Sequence, residues 1–275
     1  MNHIVDKPLY SLHQGTLPLL ISIPHTGVHL PDSISIHMSP IAKRLDDTDW
    51  HLSSLYDFAS SFGASVLIPL CSRYVIDLNR PPDDVNLYPG QDTTGLCPID
   101  TFLKEPLYEN GNEPDDDERA ARLEKYWMPY HTALQEELTR IKAIHGNALL
   151  WDAHSIRSEL PRFFAGQLTD FNFGTAEESS CAPGLGQRLK EKVEANGRYS
   201  AILNGRFKGG YITRAYGRPA SHVHAIQLEL SQRTYMQESL PYSYLPNKAK
   251  EIQFLLHQLL TEALSWLEEQ PASTP

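Results

Sequence analysis

Apolar positions along this chain come in two textures. Some are short, nearly continuous runs; others recur at three- and four-residue spacing. Residues 17–24, LPLLISIP, are a continuous run held between prolines. Such a run predicts a buried strand of a parallel or mixed sheet. Residues 64–69 (ASVLIP), 74–78 (YVIDL) and 147–153 (NALLWDA) read the same way, as do 200–204 and 225–230 (AIQLEL). Between them, residues 40–62 place Leu45, Leu52, Leu55 and Phe58 on one helical stripe. Helical spacing also marks 118–143, 185–195 and 247–268. Residues 83–117 have no period and are rich in Gly, Pro, Asp and Asn, as a long functional loop would be. The segment 155–183 reads as loop with room for short strands, and 205–217 as a loop rich in glycine. Strands alternating with helices predict an α/β sandwich on a mostly parallel sheet. No repeat or linker divides the chain, so residues 1–275 read as a single domain.

Polar residues cluster where these strands end. His25 follows the first run, Asn79-Arg80 follow the third, and Asp152-Ala-His154 close the fourth. Glu229 lies inside AIQLELS. In open α/β sheets ligands bind beyond the carboxyl ends of strands, so these side chains are expected to converge. Either histidine alone reads better as a turn residue; two in matching positions point to a metal. A catalytic zinc site takes three protein ligands and leaves a fourth position open. The third ligand comes from Asp46, Asp47 or Asp49; helix geometry favours Asp49, with Asp46 or Asp47 better placed to cap. Glu229 is either half of a buried ion pair, with Arg233 as partner, or a general base. Arg80, with Asn79, suits a carboxylate. Lys208, Tyr211 and Arg214 on the glycine-rich loop offer further anion contacts. Arg73, Arg157, Arg162 and Arg206 add cations near the same segments. His51 is a candidate to support the ligands, and His222 and His224 to line the site.

Composition narrows the partners. The 275 residues carry a net charge of −10, with 41% hydrophobic and 21% charged residues. That balance suits a packed globular protein and disfavours nucleic acid or an anionic membrane. Arginines gathered near the site of an acidic chain point to a small polyanionic substrate. The acid run at 113–118 reads as solvated surface. Cys71, Cys97 and Cys181 are an odd number without a CxxC pair, so reduced thiols are expected. The N-terminal MNHIVDKPLY has no leader pattern and no run is long enough for a membrane span; a cytoplasmic protein is expected.

The motifs IPHTG, DDTDWH, SRYVIDLNRPPDD, LYPG, TGLCP, WDAHSIRS, NGRFKGGYITR and QLELSQRTYM occur in this order. Together they resemble the N-formylglutamate amidohydrolase family, on its deformylase side, over nearly the whole chain. The resemblance implies a phosphorylase/hydrolase-like three-layer α/β/α sandwich around a mostly parallel mixed sheet. It implies hydrolysis of N-formyl-L-glutamate to formate and L-glutamate, the last step of a histidine degradation pathway. One divalent metal ion is implied, with Zn2+ the expected one, although His and carboxylate ligands accept others. The layout is also similar to that of the zinc carboxypeptidases. There an acidic ligand stands three residues after the first His, a position held here by Val28. On this reading His25, Asp49 and His154 hold the metal and Glu229 is the base; Asn79, Arg80 and Arg214 hold the carboxylates. The rival readings are an amidohydrolase for another N-acyl amino acid or a small peptide, and a non-catalytic binder of acidic amino acids. The oligomeric state is left open.

Overall fold

The computed structural model describes residues 8–272. The leader reading rests mostly on residues 1–7, which lie outside the described residues. The chain runs through β1 (Tyr10–His13), β2 (Leu19–Ser22), α1 (Asp32–Ser35), α2 (Leu52–Leu55), α3 (Ala59–Phe62) and β3 (Ser65–Pro69). After a long loop come α4 (Asp116–Arg122), a π-helical turn (Leu123–Trp127), α5 (Met128–His145) and β4 (Ala148–Ile156). Then follow β5 (Phe171–Gly174), α6 (Leu185–Glu194), β6 (Ala201–Leu203), α7 (Tyr211–Tyr216), β7 (Val223–Ser231) and α8 (Pro246–Glu268).

The strands form one seven-stranded sheet in the order β1-β3-β2-β4-β7-β5-β6. The central four, β3-β2-β4-β7, are mutually parallel. β1 pairs antiparallel to β3 and β5 antiparallel to β7, while β6 runs parallel to β5. Side chains alternate across a strand, and the alternation sorts the core into two layers. Leu19, Ile21, Leu149, Trp151, Ile226 and Leu228 pack with α2, α3, α6 and α8. Leu20, Leu150 and Ala225 face the other way, onto α1, α5 and α7. The expected three-layer α/β/α sandwich on a mixed, mostly parallel sheet is therefore present.

Apolar burial, more than end chemistry, holds these helices. α8 has no side-chain cap on Leu245, yet it buries Ile252, Leu255, Leu256, Leu259, Leu260 and Trp266. Each fully buried aliphatic is worth about 1.5–3 kcal/mol, against about 1 kcal/mol for a cap. α4 is the exception. The Asp115 carboxylate accepts the Glu118 N–H at 2.9 Å, and acids fill its first turn. Part of the acid run expected as solvated surface is thus a helix start, where negative charge is favoured.

Four expectations change. The helix expected over 40–62 is broken into a 3-10 turn (Ala42–Arg44), α2 and α3. Leu45 and His51 adopt left-handed backbone, with φ of 55° and 62°, and turn 46–50 out of any helix. Residues 74–78 form a buried turn and not a strand, because Asp77 draws in the Asn79 N–H at 2.9 Å. β4 runs nine residues, so His154 sits inside the strand and not past it. Residues 211–216 of the glycine-rich segment are helical, as α7.

Candidate active site

The α5 face of the sheet changes character partway along two neighbouring strands. On β4 the sequence of that face is Ala148, Leu150, Asp152, His154; on β7 it is Ala225, Gln227, Glu229. Register sets Asp152 beside Gln227 and His154 beside Glu229. The apolar half packs on α5, and the polar half floors a cleft. That cleft is lined by His25, Asp77, Asn79, Arg80, His154 and Glu229. Arg73, Arg206, Tyr88 and Gln227 line it as well.

Three acceptors meet at its base. His25 Nδ1, His154 Nδ1 and an Asp49 carboxylate oxygen lie within 4.8 Å of one another, and all three residues are buried. The two Nδ1 atoms are 3.2 Å apart. Asp49 Oδ2 stands 3.5 Å from His154 Nδ1 and 4.0 Å from His25 Nδ1. Each ring is backed by a carboxylate on its other nitrogen. His25 Nε2 is 2.7 Å from Asp77 Oδ1, and His154 Nε2 is 3.0 Å from Asp152 Oδ1. An ionised carboxylate only accepts, which puts a proton on each Nε2 and turns each Nδ1 lone pair inward. Carboxylate-backed imidazoles of this kind are how metal-binding histidines are oriented. The donor set, two imidazoles and a carboxylate, fits a divalent cation, and the group can hold one.

The charges agree. Burial, then Arg73, lowers the pKa of His25 below its ordinary value despite Asp77 and Asp49. Burial also opposes charge on His154, but Asp152 and Asp49 outweigh it and hold that ring well above the ordinary value. A proton between the two rings and a cation compete for the same atoms. Burial raises the Glu229 carboxyl, although His154 pulls it back down.

Local folding explains why Asp49 and not its neighbours reaches the histidines. The turn bracketed by Leu45 and His51 lets the Asp49 N–H donate to His25 O at 3.0 Å. Its Oδ2 accepts the Ser155 N–H at 3.0 Å. Asp46 instead takes Arg44 Nε at 2.8 Å and the Tyr242 hydroxyl at 2.5 Å. Asp47 accepts the Phe102 N–H at 2.8 Å, and burial pushes it up to about 6.

Asn79 lines the cleft, but its amide is turned inward. Its Oδ1 accepts the Ile212 N–H at 2.8 Å, and its Nδ2 sits 2.8 Å from His154 Nε2 and 3.4 Å from Asp152 Oδ2. Arg80 is left as the outward group of the pair, its buried Nε without a hydrogen-bond partner among the described residues. The backbone on both sides of Asn79 is clamped from the α5 side. Trp127 Nε1 donates to Arg80 O at 3.1 Å, and His131 Nε2 donates to Leu78 O at 2.9 Å. Burial pushes His131 down to about 4, so the ring stays neutral and keeps that single donor.

The glycine-rich segment departs from expectation. Lys208 is tied to Glu177 at 2.5 Å, and Tyr211 packs on Trp127 and His131. Arg214 donates from Nε to Gly209 O at 2.8 Å and lies against the Tyr88 ring. None of the three lines the cleft. The segment's cleft-lining cation is Arg206. Arg233 pairs with Asp170 at 2.7 Å and not with Glu229. His51 binds Tyr242 O, His222 binds Pro271 O and His224 packs on Trp266, all away from the cleft. Sequence reasoning misses Asp77 and Tyr88. A lone Asp between Ile76 and Leu78 in an apolar run is the available signal for the first; Tyr88, in an aperiodic loop, gives none. The three cysteines are free thiols. Among the described residues no helix is long and apolar enough to cross a membrane.

Comparison with known proteins places the chain in a family. Residues 17–236 match the N-formylglutamate amidohydrolase family. An N-formylglutamate deformylase of Pseudomonas putida is 53% identical over 267 residues, covering 97% of this chain and 99% of that one. One of Pseudomonas aeruginosa is 50% identical over 262 residues, covering 95% and 98%. The crystal structure of an N-formylglutamate amidohydrolase from Ralstonia eutropha superposes with a TM-score of 0.81 at 23% identity, covering 94% and 98%. A gene product of Agrobacterium tumefaciens gives 0.73 at 19%, covering 96% and 97%. At those identities the superpositions speak to the fold alone. The sequence matches carry the assignment: the chain belongs to the N-formylglutamate amidohydrolase family.

Proposed function

We propose that this chain, as a single catalytic domain, hydrolyses N-formyl-L-glutamate to formate and L-glutamate. One divalent cation, zinc by preference, would be held by His25, Asp49 and His154. The observation that carries this reading is the buried trio of inward-facing acceptors, each imidazole backed by its own carboxylate, beneath an arginine-lined cleft. The names of the curated relatives supply the substrate.

When bound, the cation supplies Lewis acidity, polarising a carbonyl and acidifying water. The rest is done by side chains. Glu229 takes a proton onto its carboxylate as water oxygen attacks the formyl carbon. The C–N bond breaks, and the same carboxyl returns the proton to the departing nitrogen of glutamate. Arg80 receives a substrate carboxylate; among the described residues only Asp77, at 4.0 Å, brings a carboxylate that near to it. Asp152 holds the His154 ring, and the Asn79 amide packs beside it. Orientation of this kind is worth several kcal/mol by general proximity arguments.

The test is a panel of N-formyl, N-acetyl and N-succinyl glutamate, following acid release and amine formation. Preference for the formyl compound is expected. Faster turnover of a longer acyl group would move the assignment to another amidohydrolase, and binding of N-formylglutamate without turnover would make the chain a binding protein.

A further inference from the structure

The substrate in this reading has two carboxylates, and Arg80 accounts for one. Three arginines line the cleft: Arg73, Arg80 and Arg206. Arg73 is matched already, 2.6 Å from Asp77 and 3.8 Å from Asp49. Nearby Arg162 is matched too, by Asp92 at 3.0 Å and Asp100 at 2.9 Å. Arg206 differs. Among the described residues no carboxylate lies within 4.0 Å of its guanidinium. Its single protein hydrogen bond there is from Nε to Phe163 O, at 2.6 Å.

The surroundings fix this guanidinium without neutralising it. Its carbon lies 5.7 Å from the centre of the Tyr88 ring and 5.4 Å from that of Phe207. The Tyr88 hydroxyl donates to Gly209 O at 2.9 Å, tying the long 83–117 loop across the segment that carries Arg206. With Nε held by Phe163, the two Nη groups form a fixed fork. A fork of that kind accepts a carboxylate bidentately. Burial lowers the pKa of Arg206, and the charge of Arg80 adds to it, against Tyr88 and the more distant Glu229 carboxylate. An anion arriving between two such cations relieves both.

We propose that Arg206 receives the side-chain carboxylate of the substrate and selects acidic over neutral N-formyl amino acids. The inference rests on the hydrolytic reading above. It divides the work between two arginines that have no close carboxylate to themselves, Arg80 for one end of a dicarboxylate and Arg206 for the other.

The experiment compares N-formyl-L-glutamate with its neutral side-chain amide, N-formyl-L-glutamine, in the wild type, Arg206→Gln and Arg206→Lys. Arg206→Gln is expected to lower kcat/KM for the acid about 100-fold, mainly through KM, as truncating one partner of a buried charge pair does. The amide should change less than about threefold, which also shows that the variant is folded. Arg206→Lys keeps the charge but loses the fork, and should retain part of the acid preference. Equal losses on both compounds would make Arg206 a prop for the Tyr88 loop and overturn the proposal, as would an acid preference that survives in Arg206→Gln. Kd values for the two compounds, measured by calorimetry, decide the same question if the wild type releases no formate. That result would defeat the hydrolytic reading alone.

Discussion

Glu229 faces His154 across the β4–β7 register, and apart from Gln227 Nε2 at 3.3 Å its carboxylate has no hydrogen-bond donor among the described residues. Burial of a carboxylate with so little support is costly, which is the usual signature of a working group. Arg233, the partner a structural role required, is engaged by Asp170. Glu229→Gln keeps the shape and removes the proton acceptor. Turnover of N-formylglutamate should fall by about 10²–10⁴-fold, while metal content measured by elemental analysis stays at the wild-type level. Near-normal turnover would remove Glu229 from its role. Asp77 acts on a single ring in the same way. It fixes the His25 tautomer from behind, so Asp77→Asn should weaken metal affinity by about 10–100-fold in a chelator competition. Unchanged affinity would mean that His25 Nδ1 is oriented by something else.

At the scale of elements, the site depends on irregular segments. The turn between Leu45 and His51 delivers Asp49, and the start of α7 supports Asn79. Gly210 shows how tight that support is. A Cβ there would stand 2.4 Å from Asn79 Nδ2 and 2.7 Å from its Oδ1, and the Gly210 N–H is bound to Gln227 Oε1 at 2.7 Å. Asn79 cannot retreat, because the Ile212 N–H and the Asp152 carboxylate hold its two ends. Overpacking costs about 1–3 kcal/mol. Gly210→Ala should therefore lower the melting temperature by about 2–10 °C and reduce kcat/KM at least about tenfold by displacing the His154 ring. A variant with wild-type Tm and kinetics would show that this contact has slack. These irregular pieces are where pattern reading fails. Residues 40–62 carry a helical stripe, but two left-handed residues interrupt it, and nothing in Leu or His announces that conformation. Residues 74–78 have strand composition, yet Asp77 curls the backbone onto its own carboxylate. The segment 211–216 is helical because Ile212 and Thr213 are buried, a tertiary cause invisible to local composition.

For the molecule as a whole, the regular elements are legible because burial on both faces of a parallel sheet leaves continuous apolar runs. Leu19, Leu20 and Ile21 on β2 form one such run, and Ala148, Leu149, Leu150 and Trp151 on β4 form another. The edge strand β1 is not legible, since its alternate exposure dilutes the signal. The place of the chemistry is legible from polar residues that end or interrupt apolar runs: His25, His154 and Glu229 stand out in that way, and all three line the cleft. The arginines are legible as a group and not one by one. Lys208 and Arg214 are drawn off by Glu177 and the Gly209 carbonyl, in positions that only the fold reveals. Arg206 faces the cleft with no carboxylate of its own. On the proposed function, amide hydrolysis depends on a cation held by His25, Asp49 and His154. The measurement that tests it most directly is formate release from N-formyl-L-glutamate by protein stripped with a chelator and then titrated with zinc. Activity should be lost on stripping and recover to saturation at about one equivalent of zinc per chain; full turnover by protein shown by elemental analysis to be metal-free would contradict the claim.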